Sequence, residues 1–442
     1  MTARLIKRDL ALATGLLSVA GITWYASTPT MIKKSHLSTL PDYPSLSDDQ
    51  VQHILTSKES CLVPRDNRII KKVDFNSVAS NNPIEDYHAE HNLSNGSLIA
   101  VFDGHGGTEC AELVSKQLAS YVQHAISTIP ESSGDERKEA IKVALKKAFL
   151  QLDQDILQGG FSTYPIPPAT WFRLFPAKAN TEHILKNLRP AQAGSCAIAA
   201  YIENNDLFIA CTGDSRAVLG RARQNGSLSA TELSQDQTTK NSKEYTRLLS
   251  EHPNEEQTVV VKGRVLGGLM PTRAFGDARY KWPTEVQSIL KTFGARGPPR
   301  NYVSPPYVTA EPEVSYVELN PETDKFLILA TDGLWDELSS EEAMAVISKT
   351  SDENKASGLI KRALGAGDSD RLVKNLSIPS PESRRFRDDV TVSVVHFGNI
   401  EANSVAKASA CREFKATTPK EERSHSLPHW LKLLSQHPRS KL

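Results

Sequence analysis

The stretch SLIAVFDGHGG, residues 97–107, decides the fold, because an apolar run of strand length ends there in an acidic turn. Continuous apolar runs of about four to eight residues that stop at a turn signal are typical of strands buried on both faces. The same order recurs in LFIACTGDS (207–215) and FLILATDG (326–333), where an Asp again follows the apolar run. The sequence therefore predicts buried strands that carry carboxylates at their ends.

Helical periodicity and further strands extend this pattern over the middle of the chain. Two consecutive runs, 108–126 and 136–157, have helical spacing, whereas 195–203 and 207–215 are strands separated by a polar turn. Strands joined by tight turns predict antiparallel sheets, and paired helices argue against a doubly wound parallel sheet. We therefore predict an α+β fold. Further strands are predicted over 217–223, 326–333 and 390–397, and insertions over 158–190 and 282–306.

The 442 residues include 52 Lys and Arg and 52 Asp and Glu, so the formal net charge is zero. A chain without net positive charge lacks the overall field that holds nucleic acid, and we predict no nucleic-acid partner. The 39% of hydrophobic and 24% of charged residues are typical of an ordinary globular protein. The five cysteines are widely spaced without a CxxC pair, which argues against a disulfide scaffold or a zinc ribbon.

Acidic residues recur beside the predicted strands, and they share one cleft if those strand ends converge. Such a cluster repels itself strongly unless cations neutralise it. Oxygen ligands alone favour Mg²⁺ or Mn²⁺ over zinc, so the pattern predicts a site for divalent cations. The residues of the pattern are Glu85, Asp86, Asp103, Asp214, Asp332, Asp388 and Asp389.

Two cations held by carboxylates favour hydrolysis at phosphorus. A water shared by two metals becomes acidic enough to act as the nucleophile of an in-line attack. His105, two residues after Asp103, is placed to protonate the leaving oxygen as a general acid. A single Asp beside a strand is more often a plain turn residue, so the prediction depends on the whole set. A two-metal nuclease is a weaker alternative, because we identify no basic groove in the sequence.

The order of these motifs resembles that of the type-2C, metal-dependent Ser/Thr protein phosphatases over roughly residues 60–398. The resemblance implies two stacked antiparallel β-sheets flanked by pairs of antiparallel helices, an α-β-β-α sandwich, with the metals in a cleft at one edge. It also implies a phosphatase domain over 46–399 that hydrolyses phosphoserine and phosphothreonine in proteins by a two-metal-activated water. The motifs are IED (84–86), DGHGG (103–107), GS (194–195), TGDSRA (212–217), RAFGD (273–277), ATDGLWD (330–336) and RDD (387–389).

The resemblance also implies a role for each site residue. Asp103, counted as catalytic, bridges the two Mg²⁺ or Mn²⁺ ions, and Gly104 contributes a backbone carbonyl to the metals. His105 is the general acid, whereas Asp277 in the RAFGD motif receives no ligand role. The remaining metal ligands are Asp332 and Asp388 by direct coordination, Glu85 and Asp86 through water, and Asp214 at a third, weaker metal.

One position departs from the family pattern. Many members place an arginine that grips substrate phosphate four residues before the Glu of the ED pair, and this chain has Asn81 there. The spelling of 263–282 and 305–314 is similar to the catalytic subunit of pyruvate dehydrogenase phosphatase. Arg273 and Arg387 are candidates for the missing phosphate contact, but structural ion pairing is an equally good explanation for each.

This similarity suggests a pyruvate dehydrogenase-type or other organellar phosphoprotein as the substrate. A catalytically inactive scaffold with the phosphatase fold is the alternative from another functional class. The intact Asp103, Asp332 and Asp388 argue against the scaffold, because a binding protein need not keep a self-repelling acidic cluster.

Residues 1–45 have the pattern of a mitochondrial-type leader with a membrane anchor and a polar linker. A basic start precedes the apolar run 10–26, whose Trp24 and Tyr25 suit a membrane interface. A secretory signal peptide and an ordinary buried helix are the alternatives. If the segment is retained as an anchor, the catalytic domain lies at the inner membrane, on the side of the intermembrane space.

The polar tail, residues 400–442, ends in Ser440-Lys441-Leu442, the tripeptide that the peroxisomal import receptor reads. We therefore expect the protein in both mitochondria and peroxisomes. The alternative is an exposed tail that ends in these residues by coincidence.

Overall fold

The computed structural model describes residues 43–65, 67, 69–159, 188–291, 296–350, 354–398 and 411–417. The apolar run 10–26, the terminal SKL tripeptide and most of the insertion over 158–190 lie outside the described residues. Among the residues that are described, no helix is both long enough and apolar enough to span a bilayer.

Sixteen strands are described, and two seven-stranded β-sheets form the centre of the fold. In chain order the strands are β1 (Ser60–Val63), β2 (Ile70–Val78), β3 (Tyr87–Leu93), β4 (Gly96–His105), β5 (Gly194–Glu203), β6 (Asp206–Thr212), β7 (Arg216–Ala222), β8 (Leu228–Glu232), β9 (Val260–Val261), β10 (Arg264–Val265), β11 (Phe275–Gly276), β12 (Glu313–Glu318), β13 (Asp324–Ala330), β14 (Val390–Phe397), β15 (Arg412–Glu413) and β16 (Lys415–Ala416).

The first sheet has the order β15-β1-β2-β14-β13-β7-β8. The second has the order β12-β6-β5-β4-β3-β16, with β11 paired to β5, and β9 and β10 form a separate hairpin. Neighbouring strands run antiparallel except at two edges, where β15 is parallel to β1 and β16 is parallel to β3. The prediction of two antiparallel sheets is therefore confirmed for the body of each sheet, and the segment 412–416 adds the two parallel pairs.

Helices cover the outer face of each sheet, which completes the predicted α-β-β-α sandwich. Two helices, α2 and α3, contact each other and the second sheet, whereas α8 and α9 pack against the first sheet. The helices are α1 (Asp48–Thr56), α2 (Glu109–Ser127), α3 (Gly134–Leu157), α4 (Ser242–Glu251), α5 (Ala278–Lys281), α6 (Thr284–Lys291), α7 (Asp332–Trp335), α8 (Ser340–Lys349), α9 (Lys355–Gly365) and α10 (Ser369–Ser377), with a 3₁₀ helix over Glu382–Arg385.

Strand β4 shows why the deciding stretch is apolar without a break. Leu98 and Phe102 belong to the core between the second sheet and its helices, whereas Ile99 and Val101 belong to the core between the two sheets. Because side chains alternate along a strand, a strand covered on both faces needs apolar residues at every position. Asp103 lies near the end of this buried strand and therefore at the edge where both sheets end.

A disulfide joins Cys61 in β1 to Cys411, which lies 350 residues further along the chain. The segment 411–417 then pairs with β1 and with β3, so it connects one edge of the first sheet to one edge of the second. The cysteine spacing predicts no disulfide scaffold, and the structure corrects this prediction by one bond, because this single pair does form. Sequence distance carries no information about such a pair when the fold itself brings its members together.

Candidate active site

Three predicted ligands converge at one edge of the sandwich. Asp103 lies near the end of β4, Asp214 follows β6, and Asp332 is the first residue of α7, directly after β13. Each offers a carboxylate oxygen, and these oxygens lie within 4.8 Å of one another. Stacking of the two sheets therefore produces the cleft that the repeated strand-end motif predicts, and we call these residues the three-carboxylate cluster.

Without a bound cation, the three-carboxylate cluster destabilises the folded state. Burial raises the pKa of Asp103 well above its usual range, and the charges of Asp332, Asp86 and Asp214 raise it further. Burial and the nearby Asp214 and Asp388 likewise raise the pKa of Asp332. Hard oxygen ligands packed this closely fit Mg²⁺ or Mn²⁺, whose charge would offset the repulsion.

Asp388 stands beside the cluster, in the turn before β14. It is not one of the three mutually close carboxylates; its side chain forms an ion pair with Arg384. Burial raises the pKa of Asp388, and Arg384 opposes that rise. The backbone N–H of Asp389 also donates to Asp388 Oδ1 at 2.8 Å, which orients the carboxylate.

Glu85 and Asp86 are held by donors of the protein itself. Glu85 Oε1 accepts from the backbone N–H of Gly107 at 2.7 Å, and its Oε2 accepts from Asn81 Nδ2 at 3.0 Å. Asp86 Oδ2 accepts from the hydroxyl of Thr331 at 2.9 Å. These bonds agree with carboxylates that reach a metal through water, a role that stays a prediction for both residues.

Asp389, which belongs to the acidic pattern of the sequence but has no ligand role in the family resemblance, organises the neighbouring loop. Its Oδ1 accepts from the backbone N–H groups of Ser80 at 2.5 Å and Asn81 at 2.9 Å. Its Oδ2 accepts from the backbone N–H of Glu85 at 2.9 Å and from Asn81 Nδ2 at 3.2 Å. Asp389 therefore fixes the loop that carries Glu85, and Asn81 is fully occupied by two carboxylates.

His105 is hydrogen-bonded to Asp277, with 2.7 Å between Nε2 and Oδ2. Burial alone would lower the pKa of His105, but the charges of Asp277, Asp214 and Glu85 outweigh it and raise the pKa. Sequence reasoning assigned no role to Asp277, although its position in a motif shared with Arg273 was a usable signal. The contact makes Asp277 a positioning residue for His105.

Two glycines make room for this arrangement. A Cβ on Gly194, in the GS motif, would collide with His105 Nε2 and the carboxylate of Asp277. A Cβ on Gly104 would collide with the carbonyl oxygen of Glu85. Both positions therefore need glycine for close approach. The carbonyl of Gly104 as a metal ligand stays a prediction.

Comparison with known proteins identifies the family of this chain. The protein phosphatase 2C family model matches residues 79–372. A protein phosphatase 2C homologue of Schizosaccharomyces pombe is 36% identical over 74% of this chain and 80% of its own length. The mitochondrial pyruvate dehydrogenase (acetyl-transferring) phosphatase 1 of Homo sapiens is 31% identical over 80% of this chain and 83% of its own length.

Among solved structures, a serine-threonine phosphatase 2C from Toxoplasma gondii is similar with a TM-score of 0.49 and 18% identity, covering 77% of this chain and 98% of that one. The family match and the identity to curated relatives show that the chain belongs to the protein phosphatase 2C family. It is a Ser/Thr protein phosphatase, and the resemblance drawn from its motifs is confirmed.

The first prediction concerns Asp103→Asn in the purified chain. A carboxyl whose pKa is raised on folding destabilises the folded state at neutral pH, so removing this charge should stabilise the metal-free protein. We expect the melting temperature in EDTA to rise by about 2 °C or less for each kcal/mol of repulsion removed, because the domain is large. Saturating Mn²⁺ should raise the melting temperature of the wild type more than that of the variant.

Asp370→Asn makes the same chemical change at an exposed residue of α10 and serves as the control. Its response to Mn²⁺ should match that of the wild type in differential scanning calorimetry. An Asp103→Asn protein that is less stable in EDTA and still gains the full Mn²⁺ shift would contradict the metal assignment.

The second prediction concerns Asp277→Asn, which keeps the shape of the side chain but removes its charge. Because Asp277 acts through His105, we expect kcat for a phosphopeptide to fall about 10- to 100-fold. Mn²⁺ affinity, measured by isothermal titration calorimetry, should stay unchanged. An unchanged kcat, or a loss of Mn²⁺ affinity equal to the loss of kcat, would show that Asp277 does not act by positioning His105.

Proposed function

We propose that this phosphatase uses two divalent cations, Mg²⁺ or Mn²⁺, to remove phosphate from serine and threonine side chains of organellar phosphoproteins. The observation that supports this proposal most is the three-carboxylate cluster, whose oxygens lie within 4.8 Å of one another. Such a cluster destabilises the folded chain at neutral pH, and bound cations would offset its charge.

In this proposal each carboxylate has a defined place. Asp103, the backbone carbonyl of Gly104, Asp332 and Asp388 would hold the two cations directly. Glu85 and Asp86 would act through water. Asp214, although its oxygen lies close to those of Asp103 and Asp332, would hold a third, weaker ion. When bound, the cations supply an acidified water and neutralise charge on the phosphoryl group.

His105 holds the proton that the leaving oxygen needs. Its Nε2 is bound to Asp277, which fixes the ring and leaves Nδ1 to carry the transferable proton. The His105 side chain is 24% exposed, so it borders the cleft, whereas Asp277 is 8% exposed and lies behind it. The buried carboxylate thus stabilises the charged ring while the ring faces the substrate.

The substrate class is proposed from the curated relatives. Several relatives are named as mitochondrial phosphatases of pyruvate dehydrogenase, including the Saccharomyces cerevisiae protein, which is 30% identical over 81% of this chain. We extend this only to a pyruvate dehydrogenase-type or other organellar phosphoprotein. The membrane anchor in 1–45 and the peroxisomal address Ser440-Lys441-Leu442 stay predictions from sequence.

The Cys61–Cys411 disulfide bears on the compartment. Disulfides persist in oxidising compartments and are rare where thiol reductants are abundant. Of the mitochondrial locations, a catalytic domain on the side of the intermembrane space agrees best with this bond and with a retained anchor. A substrate on that side of the inner membrane would be another organellar phosphoprotein, because pyruvate dehydrogenase lies in the matrix.

The third prediction tests the activity with a phosphothreonine peptide and the purified chain. Phosphate release should require Mn²⁺ and stop in EDTA, and Asp332→Asn should lower kcat/KM by about 100-fold or more, because a direct ligand is lost. Asp370→Asn should leave the rate unchanged. Absence of any Mn²⁺-dependent release would favour the inactive scaffold, and full activity in Asp332→Asn would contradict the ligand assignment.

A further inference from the structure

We propose that Arg384 binds the phosphoryl group of the substrate at the edge of the three-carboxylate cluster. This inference rests on the proposed function and names a residue that no motif identifies. The carboxylates repel a phosphate dianion, so a protein cation beside them would favour its binding in addition to the bound metals. Arg384 is, among the described residues, the arginine that forms an ion pair with a predicted metal ligand, Asp388.

The side chain of Arg384 is accessible, whereas the turn that carries it is anchored by a buried residue. Its side chain is 42% exposed, and it projects from the 3₁₀ helix Glu382–Arg385. The buried Ser383 in the same turn donates to the carbonyl of Ser80 at 2.6 Å, and the hydroxyl of Ser80 donates to the carbonyl of Arg387 at 2.8 Å. The turn is therefore fixed to the loop that Asp389 organises, and only the guanidinium end is free to change partners.

The two arginines suggested by the motifs are engaged elsewhere. Arg273 Nη1 donates to the carbonyl of Glu311 at 2.8 Å, and its Nε donates to Glu244 at 3.1 Å. Arg387 Nη1 donates to the carbonyl of Ala79 at 2.7 Å, and burial lowers the pKa of Arg387 to about 10. Both side chains therefore support the fold, which agrees with the structural explanation offered for them from sequence.

Asn81, at the position where the family pattern has an arginine, is also unavailable. Its amide nitrogen donates to Glu85 and to Asp389, and an amide carries no net charge to offset a phosphate. Arg384 lies on the turn that is bonded to the residue before Asn81, on the Asp388 side of the cleft. The cation thus comes from the neighbouring loop instead of from position 81.

The pairing with Asp388 explains how Arg384 becomes available. A divalent cation at Asp388 would compete with the guanidinium for the same carboxylate. It would displace the guanidinium, because it carries the larger charge. The released guanidinium is planar and matches two phosphate oxygens at once. A cavity of about 240 Å³ lies beside this pair and is lined by Gly333, Arg384 and Asp388 among others. Asp103, Asp214 and Asp332 do not line it, so the cavity borders the cluster and does not contain it.

The fourth prediction compares Arg384→Ala, Arg384→Lys and the control Arg362→Ala by isothermal titration calorimetry of inorganic phosphate into the Mg²⁺-loaded chain. Arg362 has similar exposure and a single weak pair with Glu342 at 3.8 Å, on α9 and away from the cleft. We expect Arg384→Ala to weaken phosphate binding about 10- to 100-fold. The phosphate affinity of Arg384→Lys should lie between those of the wild type and Arg384→Ala, because lysine keeps the charge but not the paired donors.

Mg²⁺ affinity, titrated separately, should be unchanged or tighter in Arg384→Ala, since a competitor for Asp388 has been removed. In steady-state assays KM for the phosphopeptide should rise more than kcat falls. Unchanged phosphate affinity in Arg384→Ala, or a parallel loss of Mg²⁺ affinity, would overturn the inference. A wild-type chain that binds phosphate through Arg384 but releases none from peptides would instead contradict the proposed function alone.

Discussion

Repulsion among buried carboxylates is the constraint on which the rest of the structure depends. Asp103, Asp214 and Asp332 come from the ends of strands in both sheets, and their oxygens approach within 4.8 Å. Burial and mutual charge raise the pKa of Asp103 and Asp332, so the folded chain is destabilised there at neutral pH. Each sheet is covered by an apolar layer on both faces, and this burial offsets the destabilisation. Bound divalent cations would remove it.

The net charge of zero hides an uneven distribution of charged side chains along the chain. The catalytic domain has more acidic than basic side chains, and several of its acids point into one cleft. The basic side chains near that cleft have different tasks. Arg387 supports a loop through the Ala79 carbonyl, whereas Arg384 remains accessible beside Asp388. In the proposed function, the cleft binds metal ions and then a phosphate, and it combines many fixed carboxylates with an arginine that can change partners.

Much of this fold was predictable from the sequence, because burial on both faces leaves a clear pattern. Strand β4 and helices α2 and α3 agree with the runs at 97–104, 108–126 and 136–157 to within a few residues. The Asp residues of the cluster follow from the same rule, since each one ends or follows an apolar strand. Convergence of those ends follows from sheet stacking and confirms the predicted cleft.

Features that depend on contacts between distant segments were not predictable. The Cys61–Cys411 bond and the edge strands β15 and β16 join residues that are far apart in sequence and have no motif. Asp277 was visible in its motif, but its bond to His105 appears only when β11 pairs with β5. No sequence motif points to Arg384, because its proposed role depends on a turn that is hydrogen-bonded to the distant Ser80.

The central claim is that the carboxylates of this cleft hold two divalent cations with Asp103 between them. Anomalous diffraction from crystals grown with Mn²⁺ tests it most directly. We expect two Mn²⁺ peaks in the cleft that share the Asp103 carboxylate, with Asp332 and Asp388 among their other ligands and Arg384 separated from Asp388. A saturated crystal with no Mn²⁺ at Asp103, and with Arg384 still paired to Asp388, would contradict the claim.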